Sequence, residues 1–584
     1  MSRTALGWIA LGASASLVLS ACGSGGDDGG PGEFDQGVSE VVNSSDEKGG
    51  TLRYAITSDI ESTDPGNTYY GYMWNFSRYY ARTLYTYASE PGQAAREVVP
   101  DLAKGQPEVG NDGKTYTVKL KEGLTYEDGS EIVAEDIKFN IARSNFGPDA
   151  LPGGPKYYKE HLAKSGDYEG PFTDAEDPLE GLGGVETPDD HTLVFHLKEK
   201  FVDFPYVLVQ PQSSPVPVDT EKPGERYQAS PISSGPYKFE DEWTSGDGLA
   251  LVRNDEWDPE SDPIRTALPD RITVEEGVDQ NEIDQRLQNG ELDVDLAGTG
   301  LGPGAKGEAV NDEATKTRLD NPENQAHYFM NVNTKVEPFD DLACRQAVQY
   351  AVDRGSVQRA WGGKTGGTKA TQVLPPAVPG ANAEYNAYPS QDGEGDIDEA
   401  EAKLEECGEG GGFSANLAVR SDRPAEVRAG ESIKESLERA GIDVTIEQFP
   451  TKQFSTSRVG SPDYVQENEL GLALHGWMPD WLTGYGYFSQ ILHGSAIKKA
   501  SNYNVAEFDN EEFNKTLDQV VKMDDPQVRA EEYEKLDQLV MEEAVLVPMV
   551  FHKPVLYRPD NLTNVYFNPS WKMYDYMTLG TTET

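Results

Sequence analysis

The chain has 584 residues, with 50 Lys+Arg against 101 Asp+Glu and a formal net charge of −51. No Lys/Arg cluster interrupts that acidic excess, which argues against nucleic acid as a partner and against a polybasic membrane-surface role. With 37% hydrophobic and 10% aromatic residues the chain can build real cores, and its length suggests three or four units or two large lobes. Such an excess of acid favours a soluble monomer.

Residues 1–21 place one arginine, Arg3, before an apolar run from Ala5 to Leu19. This is a signal-peptide pattern, and the run is short for a bilayer span. It ends in Leu19-Ser20-Ala21-Cys22, which resembles a bacterial lipobox. That resemblance implies cleavage before Cys22 and a diacylglyceryl group on its sulfur; a plain secretory signal with a chance cysteine is the alternative. Residues 22–49 are Gly/Ser/Asp-rich and read as a flexible tether, with a coil end-to-end distance of roughly 30 Å. The folded part is then expected on the extracytoplasmic face of the cell membrane, lipid-anchored. In that compartment the remaining cysteines, Cys344 and Cys407, favour one disulfide over two separate thiols. No Cys/His pair has zinc-ligand spacing, and no cofactor is expected.

Along the chain, Thr51–Thr57 alternates as a strand. Tyr69 to Tyr87 carries nine aromatic residues in nineteen. Helical spacing at Tyr72, Phe76, Tyr79, Tyr80 and Thr83 suggests one packed face, with some of the surplus rings lining a cleft. Lys114–Leu120 predicts a strand and Ala134–Ser144 a helix, and residues 147–184 read as a long loop or small insertion. His191–Leu197 alternates as a further strand, and Pro211–Pro217 reads as an extended surface segment. From Ser234 onward strands and helices alternate. Strands fall at Gly248–Arg253, Arg271–Glu275, Ala326–Asn331, Asn416–Arg420, Ile442–Phe449 and Ala544–Phe551. Helices fall at Asp279–Asn289, Asp341–Asp353, Ala425–Ala440 and Asp525–Glu543. The alternation predicts α/β lobes with largely parallel sheets.

Several ordered stretches carry a family resemblance: Gly49-Gly50-Thr51-Leu52 with Asp64-Pro65, Val99-Pro100-Asp101-Leu102-Ala103, and Asp112-Gly113-Lys114-Thr115-Tyr116-Thr117. They continue through Leu120-Lys121-Glu122-Gly123-Leu124, Ser234-Gly235-Pro236-Tyr237, Leu287-Gln288-Asn289-Gly290-Glu291-Leu292-Asp293, and Pro338-Phe339-Asp340-Asp341 with Ala351-Val352-Asp353-Arg354. In this order they resemble the extracellular solute-binding proteins of ABC importers, specifically the peptide/nickel-binding family. The resemblance implies a two-lobed, hinged, type II periplasmic-binding fold. A first lobe would occupy residues 50–320, with an extra subdomain at about 76–184. A second lobe would occupy 321–540, and residues 541–584 would return to the first. It also implies an ABC permease and ATPase as partners and a small ligand, an oligopeptide, held between the lobes.

In peptide-binding members a Trp followed three residues later by an Asp supplies the carboxylate for the peptide's amino terminus. Here Trp477 and Asp480 stand in that relation. Relatives often continue with a second Asp-Pro, whereas this chain has Leu482-Thr483-Gly484-Tyr485, so other solutes (a nickel chelate, a sugar) or a peptide-signal role stay open. An arginine after the strand at 416–420 holds the ligand carboxylate in some dipeptide binders, and Arg420 and Arg423 both lie there. Tyr69, Tyr70 and Trp74 match a cleft-lining segment.

A secreted hydrolase is the rival class. The chain has no G-x-S-x-G elbow, no H-E-x-x-H and no P-loop. Its many acids make carboxylate pairs uninformative.

Overall fold

The computed structural model describes residues 34–582, except 174, 175, 219 and 221–224. Cys22, the leader and the first part of the expected tether lie outside the described residues. Two sheets organise the rest. The first has five strands in the order Val294–Asp295, Thr51–Ala55, Arg271–Glu275, Leu249–Arg253, Tyr237–Phe239. The second has six, in the order Gly367–Lys369, Leu546–His552, His327–Val332, Leu472–Trp477, Phe413–Arg420, Ile442–Phe449. A separate four-stranded antiparallel sheet (Glu108–Gly110, Thr115–Lys119, Thr192–His196, Val185–Asp189) stands beside the first. It extends the extra subdomain beyond residue 184, because the strand at 185–189 pairs with the one at 192–196.

The strands and helices fall where alternation and capping chemistry put them. Thr51–Ala55 buries Leu52 and Tyr54. The helix Gln280–Asn289 starts with the Asp279 side chain accepting from the Asn281 N–H and ends on Gly290 at φ 74°. Asp341, Asp353, Asp396 and Asp525 cap four further helices in the same way. A share of the acidic excess is therefore spent on helix N-termini, where the unpaired N–H groups and the helix dipole favour a carboxylate.

Several expectations need correcting. The sheets are mixed rather than largely parallel. Thr51–Ala55 runs parallel to both neighbours, but Leu249–Arg253 is antiparallel to both of its own. In the second sheet Phe413–Arg420 has parallel neighbours, while His327–Val332 and Leu546–His552 pair antiparallel. In the first sheet the antiparallel strands follow one another directly, with no helix between Tyr237–Phe239 and Leu249–Arg253; in the second, they arrive through long excursions in the chain. Residues 34–49 are not a free tether, because Val42 bridges to Val565 and the Asn564 side chain accepts from the Ser45 N–H. Pro211–Val216 is buried, not a surface segment, since Asn140 donates to the carbonyls of Pro211 and Ser214. The stretch 147–184 contains a helix, Tyr157–His161. The helix in the aromatic stretch is only Gly71–Phe76, followed by a tighter turn over Ser77–Tyr79.

The second lobe continues past residue 540, because Leu546–His552 lies inside its sheet. The chain leaves the first sheet and returns to it through a short antiparallel pair, Leu319–Asp320 against Leu556–Tyr557. Buried Asp320 anchors this crossing: it accepts from the Gly37 N–H at 2.9 Å, Arg558 Nε at 2.7 Å and the Tyr574 hydroxyl at 2.7 Å. A disulfide joins Cys344 and Cys407, with S–S 2.09 Å and Cα–Cα 5.5 Å. Cys344 is fully buried. The pair ties the helix Leu342–Ala351 to the end of Ile397–Glu406.

Candidate functional site

Trp477 ends a central strand of the second sheet, and Met478-Pro479 carries the chain outward to Asp480. The Asp480 N–H donates to the Gly486 carbonyl at 2.9 Å. Thr483 caps the next helix, Gly484–Ile491, by accepting from the Gly486 N–H. These bonds fix the turn and aim the carboxylate at the first lobe. There the Tyr69 hydroxyl donates to Asp480 Oδ2 at 2.7 Å, and the Tyr157 hydroxyl donates to the same oxygen.

Aromatic rings surround the carboxylate. Tyr69 stacks on Trp74 at 5.8 Å between centroids and meets Trp477 edge-on at 6.1 Å. Trp477 lies 5.0 Å from Tyr503, and Tyr157 lies 4.9 Å from Trp481. Burial among them pushes the Asp480 carboxyl up to about 6, against the opposing pull of the Tyr157 and Tyr69 hydroxyls and the positive charge of Lys572. A carboxyl in this state is a strong acceptor with little water around it. A cationic donor arriving there recovers the ionised form.

Beside Asp480 is an enclosed cavity of about 20 Å³, bordered by Gly71, Trp74, Tyr87, Tyr206, Gln210 and the Ser570-Trp571-Lys572 turn. It has room for about one water-sized group. Two buried donors on residues that border it lack protein partners, Gln210 Nε2 and Trp571 Nε1.

The structure thus brings Asp480, Trp477, Tyr69 and Trp74 together. Tyr70 and Arg423 stand at the rim. Tyr70 donates to Glu61 at 3.1 Å. The Arg423 side chain is 41% exposed, 3.9 Å from Glu426, and its charge interacts with the Tyr328 and Tyr70 phenols. Arg420 is removed from the set. Its side chain is only 7% exposed, its Nε donates to Glu426 Oε2 at 2.7 Å and its Nη2 to Oε1. A guanidinium already matched to a buried carboxylate has no free fork for a ligand.

Tyr157, Gln210, Trp571 and Lys572 escaped the sequence reading. Tyr157 sits in a Gly/Pro/Asp-rich stretch with no periodicity. Trp571-Lys572 offers no spacing signal, because the last strands are only two residues long. Among the described residues no group of His, Cys, Asp and Glu is arranged to hold a metal, and no helix is long and apolar enough to cross a membrane.

Two α/β lobes joined by paired crossings, with a desolvated carboxylate and aromatic walls between them, define a solute-binding protein of the type II periplasmic class. Within that class, the chain belongs to the family described as bacterial extracellular solute-binding proteins, family 5, whose middle region matches residues 97–499. Among solved structures, a clavulanic acid biosynthesis oligopeptide binding protein 2 is 37% identical, covers 94% of this chain and 99% of its own, and superposes with a TM-score of 0.89. The Helicobacter pylori periplasmic binding protein DppA, in complex with the peptide STSA, shares the fold at a TM-score of 0.74 and 19% identity, over 92% of this chain and 99% of its own. Among curated relatives, the glutathione-binding protein GsiB of Escherichia coli K12 is 27% identical over 470 residues, 79% of this chain and 82% of its own. All three are named as binding proteins.

Proposed function

We propose that this protein captures short peptides outside the cytoplasm and delivers them to an ABC permease and its ATPase, while held at the membrane by a lipid on Cys22. Asp480 carries the reading. It is a carboxylate pushed up to about 6 by burial, set between the lobes, with only phenol hydroxyls as bonded side-chain partners. A peptide's free ammonium is the group such a site lacks. The bound peptide named for one structural neighbour, and the oligopeptide named for another, support the same class.

Capture would proceed by closure. Asp480 and Trp477 belong to the second lobe, and Tyr69 and Trp74 to the first. Opening about the Leu319–Asp320/Leu556–Tyr557 crossing would part the Tyr69–Asp480 bond and expose both faces. A ligand stabilises the closed form by the contacts it makes only there. Flat rings supply stacking area without demanding one side chain.

Calorimetry tests the reading. Asp480→Ala should weaken free-amine peptides roughly tenfold or more, the loss of a charge-assisted hydrogen bond, and spare their N-acetylated forms. Equal affinities for wild type and variant would remove Asp480 from the site.

A further inference from the structure

Within the site described above, the cavity beside Asp480 is unbalanced in its chemistry. Lys572, Trp571 and Gln210 all border it. Trp571 Nε1 and Gln210 Nε2 are buried donors without partners. The Lys572 ammonium makes no hydrogen bond or ion pair among the described residues; only its backbone N–H is bonded, to the Asn568 carbonyl at 2.7 Å. It influences the Asp480 charge without reaching ion-pair contact. The one carboxylate bordering the cavity, Asp480, is already taken by two tyrosine hydroxyls. Three kinds of donor therefore surround a space with no free charged acceptor.

The turn that presents Lys572 is rigidly built. Asn568 Oδ1 accepts from the N–H groups of Ser570 and Trp571 at 3.0 and 3.2 Å. The Arg78 guanidinium lies 4.5 Å above the Trp571 ring and is itself paired with Asp575 at 2.8 Å. Lys572 is held at φ 63°, a left-handed conformation unfavourable for a lysine and sustained here by the surrounding bonds. Burial lowers the Lys572 ammonium to about 8 although Asp480 opposes that shift, which is the state of a cation short of a counter-ion.

We infer that Lys572, with Trp571 and Gln210, forms an anion subsite that receives a carboxylate carried close to the ligand's free ammonium, so that Asp480 and Lys572 together read a zwitterionic head. This rests on peptide capture through Asp480 and adds a specificity to it. The carboxylate could lie on the ammonium-bearing carbon, as in a γ-glutamyl peptide, or on the first side chain, as in an α-linked Glu- or Asp-peptide.

The test is calorimetry with γ-glutamyl-alanine, Glu-Ala, Asp-Ala and the neutral Gln-Ala. Wild type should bind at least one acidic probe tenfold or more tighter than Gln-Ala, and the probe preferred tells where the carboxylate sits. Lys572→Met should abolish that preference, weakening the preferred acidic probe tenfold or more beyond any loss for Gln-Ala, and Lys572→Arg should restore it. Equal affinity of wild type for acidic and neutral probes overturns the subsite while leaving peptide capture standing. So does a uniform loss in Lys572→Met. Absence of binding by all four probes overturns both.

Discussion

Tyr157 and Asp480 stand 323 residues apart in the chain, and the Tyr157 hydroxyl donates directly to the Asp480 carboxylate. The bond links the helix Tyr157–His161, beside the extra sheet, to the turn that follows a central strand of the second lobe. It makes the extra subdomain part of the proposed binding site rather than an ornament on the first lobe.

The pH dependence of binding follows from that carboxylate. Burial lifts it from 3.8 to about 6. An ammonium ligand requires the ionised form, so affinity should be flat above pH 7 and fall towards tenfold per pH unit below about 6. N-acetylated ligands should not show this fall. The ligand-free protein has the opposite interest. A raised carboxyl contributes stability that is full below pH 3.8 and is lost as pH rises through about 6, so Asp480→Asn should flatten that decline. Tyr157→Phe removes a bond that favours the carboxylate and should move the binding midpoint upward. Titration of Kd against pH for the wild type and Tyr157→Phe checks the binding predictions, and chemical denaturation against pH for the wild type and Asp480→Asn checks the stability prediction.

How far the sequence reveals this site depends on how its residues are arranged in the chain. Trp477 and Asp480 lie three residues apart, and Tyr69 precedes the short helix that contains Trp74, so local pattern and resemblance find them. Arg420 falls outside the set for a reason only geometry shows: Glu426, in the first turn of the helix that starts at Pro424, folds back onto the guanidinium. Lys572 and Tyr157 lie in segments without periodicity, and only the tertiary path carries them to Asp480. The strands at 271–275 and 442–449 were legible to the residue. Sheet polarity was not, because pairing between remote strands leaves no trace in either strand's own pattern.

The two candidate arginines should separate in experiment. Arg420→Met leaves Glu426 as a buried, unpaired charge and should destabilise the protein by about 3–5 kcal/mol. Its ligand affinity should stay unchanged at temperatures where it is folded. Arg423, half exposed at the rim, should cost about 0.5 kcal/mol or less on replacement by alanine. Any effect of Arg423→Ala on peptide binding should then be a true contact. Urea unfolding with parallel calorimetry distinguishes the two.

The Cys344–Cys407 bond closes a loop of sequence separation 63. Replacing both residues by serine should cost about 4 kcal/mol in the chain-entropy description. Both cysteines lie in the second lobe, with Cys344 packed in a helix and no cavity contact, so peptide affinity should change little. Intact mass before and after reduction establishes the bond, and chemical denaturation of the double variant reads the cost.

Closure itself can be probed at Asp203. Its Oδ2 accepts from Trp481 Nε1 at 2.9 Å and from the Thr483 hydroxyl at 2.6 Å, while its other oxygen has no partner. Nearby, the Val202 N–H donates to the Val521 carbonyl, and Lys200 pairs with Asp524 at 2.6 Å. The segment leading out of the extra sheet is therefore clasped to the elements following Asp480. Burial of the carboxylate raises its pKa, and opening of the lobes should break its bonds to Trp481 and Thr483. Asp203→Ala should leave Trp481 and Thr483 with unmet donors in the closed form, at about 1–3 kcal/mol, and shift the population towards open. The expected signature is a larger radius of gyration in solution scattering without ligand, together with peptide affinity reduced about 5- to 100-fold. Saturating peptide should restore the compact form. Scattering identical to wild type, with unchanged affinity, would place Asp203 outside the closing contact.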